Sequence, residues 1–221
     1  MKLHPFVEAV SSLQFENCFN PYSDRCNVHD HQDAPLRRAS ALSALLRSAA
    51  EKSVDAIWIG RDLGHRGGRR TGLALTDDVH MHHYAERWNV ELTPELPTVG
   101  RAVTEGTATV VWKILRHIDA RIFLWNVFPL HPHKPGESFT NRQHNSRERQ
   151  AGEELLQQLI ALLRPTRIVA IGNDAAASAH RVTASVPIVR VRHPSHGGQL
   201  QFQRQISELY GLPIELSRCA N

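Results

Sequence analysis

Three polar side chains that could act together follow three apolar runs of the sequence. Asp62 comes just after "VDAIWIG", Asn126 lies near the end of "ARIFLWNVFP", and His193 follows "PIVRVR". A carboxylate can stabilise a positive charge or position a water molecule. An imidazole can donate a hydrogen bond to an oxygen that gains negative charge, and a carboxamide presents one donor and one acceptor group. Whether the three meet depends on the elements that carry them.

Helical and strand patterns alternate along the chain. The short apolar runs that predict buried strands lie at 54–60, 120–129, 167–174 and 187–194. The main helical patterns lie at 36–52, 107–118 ("TATVVWKILRHI", within residues 98–118), 146–164 and 198–211. This order predicts an α/β fold, a three-layer α/β/α sandwich around a central, mainly parallel four-stranded sheet. Ligands bind such sheets at the carboxyl ends of the strands, so Asp62, Asn126 and His193 are expected at one edge.

The chain length and cysteine content favour one intracellular domain. We expect residues 1–221 to form a single domain with an irregular N-terminal arm of about residues 1–35. The three cysteines, Cys18, Cys26 and Cys219, show no repeated spacing, which argues against a disulfide framework and fits a reduced cytoplasm. No run is apolar enough for a membrane helix, and the N-terminus lacks the apolar region of a signal peptide. No membrane partner is expected.

The positive charge is concentrated in loops. The net charge is only +4, but arginines cluster in three places: Arg61, Arg66, Arg69 and Arg70; Arg190 and Arg192; and Arg142, Arg147 and Arg149. Local basic loops on a nearly balanced protein suggest a phosphate-bearing partner. The alternative is that these arginines are solvated surface residues.

Other kinds of site fit the sequence less well. "GRDLGHRGG" lacks the spacing of a dinucleotide or P-loop motif. Ser195 could join His193 and Asp62 in a hydrolase triad, but the G-x-S-x-G elbow is absent. Histidines cluster at 29–31, 80–83 and 131–133 without a second ligand motif at a recognisable spacing, so we predict no metal site.

Three motifs, in order, resemble those of the uracil-DNA glycosylase superfamily. "IGRDLGHRGGRRTGLALTD" is similar to the family's first motif, Gly-Gln-Asp-Pro-Tyr-His, with Gly60, Asp62 and His65 matching in place. "FLWNVFPL" resembles the strand that ends in the uracil-reading asparagine, and its "NVFPL" is also similar to the single-strand-selective branch. "RHPSHGG" resembles the His-Pro-Ser-Pro motif. The resemblance spans residues 57–204.

The resemblance implies a monofunctional DNA glycosylase that hydrolyses the bond between uracil and deoxyribose and leaves an abasic site. Asp62 would stabilise the oxocarbenium-like sugar and activate water, and His193 would donate to the pyrimidine O2. Asn126 would pair with O4 and N3–H of uracil. The further residues expected to contact the substrate are Gly60, Arg61, Gly64, Leu75 and Ser195.

The sequence departs from the best-known branch at two positions that shape the base pocket. Gly64 stands where that branch has a tyrosine, which predicts tolerance of 5-substituted uracils such as 5-hydroxymethyluracil. Leu75 stands in place of the phenylalanine that stacks on the base. Three scattered cysteines cannot bind an iron–sulfur cluster, and no cofactor is expected. The chain therefore looks like an outlying bacterial class of the superfamily.

The predicted partner is single- or double-stranded DNA that contains uracil. His196 or Leu200 could enter the base stack where the uracil leaves. The residues expected to contact DNA are Arg66, Arg69, Arg192, His196, Gly197, Gly198, Gln199 and Leu200. We expect a cytoplasmic, nucleoid-associated monomer. Two alternatives stay open: a non-catalytic nucleic-acid-binding module on the same fold, and a phosphate-ester hydrolase with a histidine-bound metal.

Overall fold

The computed structural model describes residues 2–213. Its helices are α1 (Pro5–Ser11), α2 (Ala34–Glu51), α3 (Gly68–Thr71), α4 (Met81–Arg87), α5 (Gly106–Leu115), α6 (Ser146–Leu163), α7 (Asn173–Val182) and α8 (Gln199–Tyr210). Its strands are β1 (Cys18–Phe19), β2 (Ala56–Asp62), β3 (Ile122–Phe128), β4 (His131–Pro132), β5 (Arg167–Ile171) and β6 (Ile188–Val191).

The central sheet has four strands in the order β3-β2-β5-β6, and every neighbouring pair is parallel. β2 and β3 are almost entirely buried, as expected for strands covered by helices. In their register Gly60 lies opposite Asn126, and Asp62 lies opposite Phe128. The predicted fold class is confirmed, and the register brings the ends of the first two motifs side by side.

The helices pack closely against this sheet. α6 lies directly on β3 because Gly152 has no side chain: a Cβ there would stand 2.2 Å from the carbonyl oxygen of Val127. On β2, the indole ring of Trp58 packs against Phe202 and Tyr210 of α8. These contacts fix the helices that carry the loops at the carboxyl edge of the sheet.

The N-terminal arm is more ordered than we expected from its sequence. Residues 5–11 form α1, which begins at Pro5 and is capped by the His4 side chain. Phe6, Val7 and Val10 are buried, and the Phe6 ring packs on Trp125 at 5.4 Å. A helix of seven residues is too short to show a clear periodicity, and tertiary burial rather than helix propensity stabilises it.

The helix expected at 107–118 forms as α5, which covers Gly106–Leu115. It begins one residue before and ends three residues before the expected bounds. The side chain of Glu105 accepts hydrogen bonds from the amides of Thr107 and Ala108 and so fixes where the helix begins. Within residues 2–213, no helix is long and apolar enough to span a membrane.

Candidate active site

A cavity of about 750 Å³ opens at the carboxyl edge of the central sheet. Asp62 from the end of β2, Asn126 from β3 and His193 after β6 all line it. The parallel register makes this convergence necessary, because the three strands end at the same edge. The three predicted side chains therefore share one site.

Asn126 presents an unpartnered amide group in the cavity wall. Its side chain is only 1% exposed, and its Oδ1 has no hydrogen-bond partner among the residues that the structure describes. A buried polar atom without a partner costs about 1–3 kcal/mol. Such an atom in a cavity wall indicates a site prepared for a polar ligand.

Gly60 leaves the space that the Asn126 amide occupies. A Cβ at Gly60 would stand 2.4 Å from Asn126 Oδ1 and 3.1 Å from Leu75 Cδ2. No side chain fits at these distances unless its neighbours move. The glycine of the first motif is thus explained by the asparagine on the adjacent strand.

Asp62 is held by two donors on its two oxygens. Oδ2 accepts from Arg61 Nε at 2.7 Å, and Oδ1 lies 2.5 Å from His144 Nδ1. The Asp62 side chain is 6% exposed. The hydrogen bonds offset the cost of burying a charged carboxylate. Both oxygens of Asp62 are therefore held in place in the cavity wall.

His193 is held as a neutral imidazole. Its Nδ1 accepts a hydrogen bond from the backbone N–H of Ser195 at 3.1 Å and lies 2.7 Å from the Ser195 hydroxyl. Burial, and then the neighbouring Arg61 and Arg192 guanidiniums, lower the pKa of His193 to about 4. A neutral ring whose Nδ1 accepts carries its proton on Nε2. His193 therefore offers an Nε2–H donor.

The loop after His193 is shaped by two glycines. His196 and Gly197 have positive φ angles of 50° and 74°, and a Cβ at Gly198 would lie 2.0 Å from the His193 carbonyl oxygen. The loop ends at α8, where Gln199 and Leu200 are exposed, Leu200 by 63%. This turn projects an apolar side chain beside the cavity.

Gly64 and Leu75 border the part of the cavity where sequence comparison expected the base to lie. A Cβ at Gly64 would meet no atom of the described residues within 4 Å. Gly64 also lines a second cavity of about 250 Å³. Leu75 has a φ of 53° and its carbonyl accepts from the Trp112 indole at 3.1 Å. The site therefore has open space beside Gly64 and an aliphatic wall at Leu75.

One residue predicted to contact DNA is not available for that role. Arg69 is 4% exposed, and its guanidinium lies 4.0 Å from the centre of the Phe19 ring and 4.9 Å from that of Phe139. Cation–π contacts of this kind hold the charge inside the protein. Because Arg69 is buried, the prediction that it contacts DNA is wrong. The sequence did not show this burial, since the aromatic partners Phe19 and Phe139 come from segments that are distant in sequence.

The first basic cluster therefore has several roles. Arg70 is buried and paired with Asp78, and Arg61 is paired with Asp62 and Asp174. Arg66 is exposed and lines the second cavity. Arg192, from the second cluster, is also exposed and lines the main cavity. Arg66 and Arg192 keep the surface position that contact with phosphate requires, as does Arg190, which is exposed and lines the main cavity.

Sequence reasoning missed two side chains of the β3–α6 connection. Asn141 Oδ1 accepts from the backbone N–H of His65 at 3.0 Å and lines both cavities. His144 contacts Asp62. The position of this loop could have indicated them, because a loop that follows β3 starts at the same edge of the sheet as the three motifs.

The histidine clusters have structural contacts of their own. His80 Nδ1 lies 2.6 Å from Asp77 Oδ1, and the His80 ring stacks on the indole of Trp112. His131 is fully buried, and burial lowers its pKa to about 3. Among residues 2–213, no group of three or more His, Cys, Asp or Glu is placed to hold a metal ion. Cys219 lies outside the described residues.

The family model for the uracil DNA glycosylase superfamily matches residues 49–208. Because this match covers more than half of the 221 residues, the chain belongs to that superfamily, and the resemblance inferred from the motifs is confirmed. Members of this superfamily are DNA glycosylases in the broad sense, hydrolases that act on the bond between base and sugar in DNA. No curated protein sequence matches the chain.

Two solved structures are similar to this chain to different extents. The structure of SMUG2 from Pedobacter heparinus superposes with a TM-score of 0.56 at 14% identity, over 93% of this chain and 97% of that chain. A tyrosine-to-glycine mutant of UNG from Nitratifractor salsuginis gives a TM-score of 0.41 at 17% identity, over 79% of each chain. The SMUG2 comparison agrees with the α/β/α sandwich described above.

Proposed function

We propose that the protein is a monofunctional DNA glycosylase that excises uracil, and 5-substituted uracils, from DNA. The observation that carries this proposal is the convergence of a fixed carboxylate, an unpartnered buried carboxamide and a neutral imidazole in one cavity. Each of the three matches one requirement of N-glycosidic bond hydrolysis: charge stabilisation at the sugar, recognition of the base, and stabilisation of the departing anion.

Asn126 is suited to recognise uracil. Its unpartnered Oδ1 would accept from uracil N3–H, and its Nδ2 would donate to O4. Cytosine offers an amino group and a bare N3 in these places, so both contacts would become mismatches. Sites built to hydrogen-bond one edge reject a mismatched edge by about 10⁴-fold. The open space at Gly64 would accept a substituent at C5.

His193 and Asp62 would act on the two halves of the breaking bond. The N1–C1′ bond breaks with its electron pair leaving on uracil, and the His193 Nε2–H stabilises the negative charge that develops on O2. The Asp62 carboxylate stabilises the oxocarbenium-like sugar and accepts a proton from the water that attacks C1′. The products are free uracil and an abasic site.

The surface around the cavity fits a flipped nucleotide. Leu200 is exposed beside the cavity and would fill the gap in the base stack. Arg66, Arg192, His196 and Gln199 are exposed and would face the DNA backbone. Within residues 2–213, no lysine lines either cavity, which supports hydrolysis without a Schiff-base step. We propose that the protein acts on DNA as a monomer.

Excision from a defined substrate tests this function. The purified protein is incubated with EDTA and an end-labelled oligonucleotide that carries one uracil, abasic sites are cleaved with alkali, and the product is quantified. We expect cleavage at the uracil by the wild type and strongly reduced cleavage by Asp62→Asn, Asn126→Ala and His193→Ala. Gln157→Ala, on the exposed face of α6, is the matched control and should behave as wild type.

The same assay separates the alternatives. Retained DNA binding without excision would favour a non-catalytic binding module. Strand cleavage that EDTA abolishes would favour a metal-dependent phosphate-ester hydrolase. Excision that is unchanged in Asp62→Asn would leave the activity but overturn the role of the carboxylate.

A further inference from the structure

The carboxylate of Asp62 depends on a residue outside the three motifs. Arg61 Nε engages Oδ2 at 2.7 Å, but the Arg61 side chain is 35% exposed and also pairs with Asp174 at 3.1 Å. His144 Nδ1 lies 2.5 Å from Oδ1, and its side chain is only 9% exposed. The more deeply buried of the two partners is therefore the histidine.

His144 is itself held in place by its surroundings. Its ring and that of Phe128 are arranged edge to face, with 6.1 Å between ring centres. The next residue, Asn145, caps α6 through a reciprocal capping box with Glu148, and Glu148 is paired with Arg142. The position of His144 is thus fixed by the first turn of an 18-residue helix and by the end of β3.

His144 contacts Asp62 from behind the cavity. It does not belong to the residues that line the cavity, whereas Asp62 does. The torsion that rotates a carboxylate is broad and has no sharp minimum of its own. A donor that holds one oxygen from outside the cavity therefore sets the direction in which the carboxylate faces the sugar and the attacking water.

We propose that His144 is a positioning residue that acts through Asp62: its Nδ1–H fixes the orientation of the carboxylate for catalysis. The inference rests on the proposed function, because it concerns the same carboxylate. Asp62 acts on charge that develops at the sugar in the transition state, whereas Asn126 holds the base already in the bound substrate. Loss of the His144 contact should therefore lower kcat and leave the affinity for uracil-containing DNA unchanged. A misplacement of about 1 Å at a catalytic group costs about 10²-fold in rate.

Three substitutions distinguish positioning from packing. His144→Leu keeps apolar volume against Phe128 but removes the donor. His144→Asn places an amide nitrogen near the position of Nδ1, whereas His144→Gln places it near Nε2, where it cannot reach Asp62 in the same way. Single-turnover excision rates, DNA affinities and melting temperatures are measured for each variant with the single-uracil oligonucleotide.

We expect the rate of His144→Leu and His144→Gln to fall by about 10- to 100-fold, with affinity unchanged, and His144→Asn to recover most of the rate. In an Asp62→Asn background, His144→Leu should cause no further loss, because the two residues act as one unit. A wild-type rate in His144→Leu, or a His144→Asn rate as low as that of His144→Gln at equal melting temperature, would overturn the proposal. If His144→Leu does not fold, the comparison of His144→Asn with His144→Gln still tests the positioning role.

Failure of the positioning role can be told apart from failure of the proposed function. If the wild type excises no uracil, the proposed function fails. If the wild type excises uracil and His144→Leu does so equally fast, only the positioning role fails. An NMR signal for the His144 Nδ1 proton that shifts in Asp62→Asn would support the contact independently of activity, and a signal that does not change would contradict it.

Discussion

The small substitution Gly60→Ala is expected to lower the excision rate strongly, and the geometry of the site gives the size of this effect. The new methyl group would stand 2.4 Å from Asn126 Oδ1. Ordinary contacts between carbon and oxygen begin at about 3.3 Å, so the amide oxygen must retreat by about 0.9 Å. Asn126 is 1% exposed and lines the cavity, so we expect this shift to displace the amide from the position in which it would meet the base.

The expected loss follows from that displacement. A misplacement of about 1 Å at a group that orients the substrate lowers the rate by about 10²-fold, or about 2.7 kcal/mol. Adding a methyl group to a closely packed site also costs about 1–3 kcal/mol of stability. We therefore expect Gly60→Ala to remain folded, with a lowered melting temperature and an excision rate about 10²-fold below that of the wild type.

Gly64→Ala is the matched control, because both glycines line the same cavity. In the part of the chain that the structure describes, a Cβ at Gly64 meets no atom within 4 Å, so this variant should excise uracil at the wild-type rate with an unchanged melting temperature. Single-turnover excision and thermal unfolding are measured side by side. If Gly60→Ala is folded and within about 3-fold of the wild type, a difference below about 0.7 kcal/mol, the account of Asn126 is refuted.

Three further predictions address specificity, stability and DNA engagement. Wild-type protein should excise 5-hydroxymethyluracil as well as uracil, and Gly64→Tyr should lose the former selectively; equal loss of both substrates would contradict the role of Gly64. The folded-state pKa values of His193 and His131, about 4 and about 3, lie below the ordinary value of 6.5, so the unfolded state binds more protons as the pH falls below 6.5. The free energy of unfolding should therefore decrease between pH 6.5 and pH 4, by up to about 1.4 kcal/mol per pH unit for each histidine; denaturant titrations that give a constant value would disprove this. Leu200→Ala should slow excision from double-stranded DNA more than from single-stranded DNA, with Leu36→Ala, a similarly exposed leucine, as a control that changes neither.

The sequence could predict the sheet and the edge that carries the site. The strand runs are continuously apolar because both faces of a parallel sheet are covered. Once the strands are parallel, residues such as Asp62 and His193 must come to one edge. The order of the strands, β3-β2-β5-β6, then places Asn126 directly beside Gly60.

The residues that the sequence did not reveal depend on long-range contacts. Arg69 looked like a surface arginine because the aromatic rings that enclose it, Phe19 and Phe139, lie far away along the chain. His144 was one histidine among 14, and nothing in its local sequence indicates that it reaches Asp62. Side-chain partners across loops are set by tertiary packing, which local periodicity does not encode.

Mass spectrometry of both reaction products tests the central claim most directly. An oligonucleotide with one uracil is incubated with the wild type and with Asp62→Asn, and the released base and the remaining strand are identified without alkali treatment. The account predicts free uracil and an intact abasic strand in equal amounts from the wild type, and little of either from Asp62→Asn. Binding without release of uracil, or release accompanied by a broken strand, would contradict it.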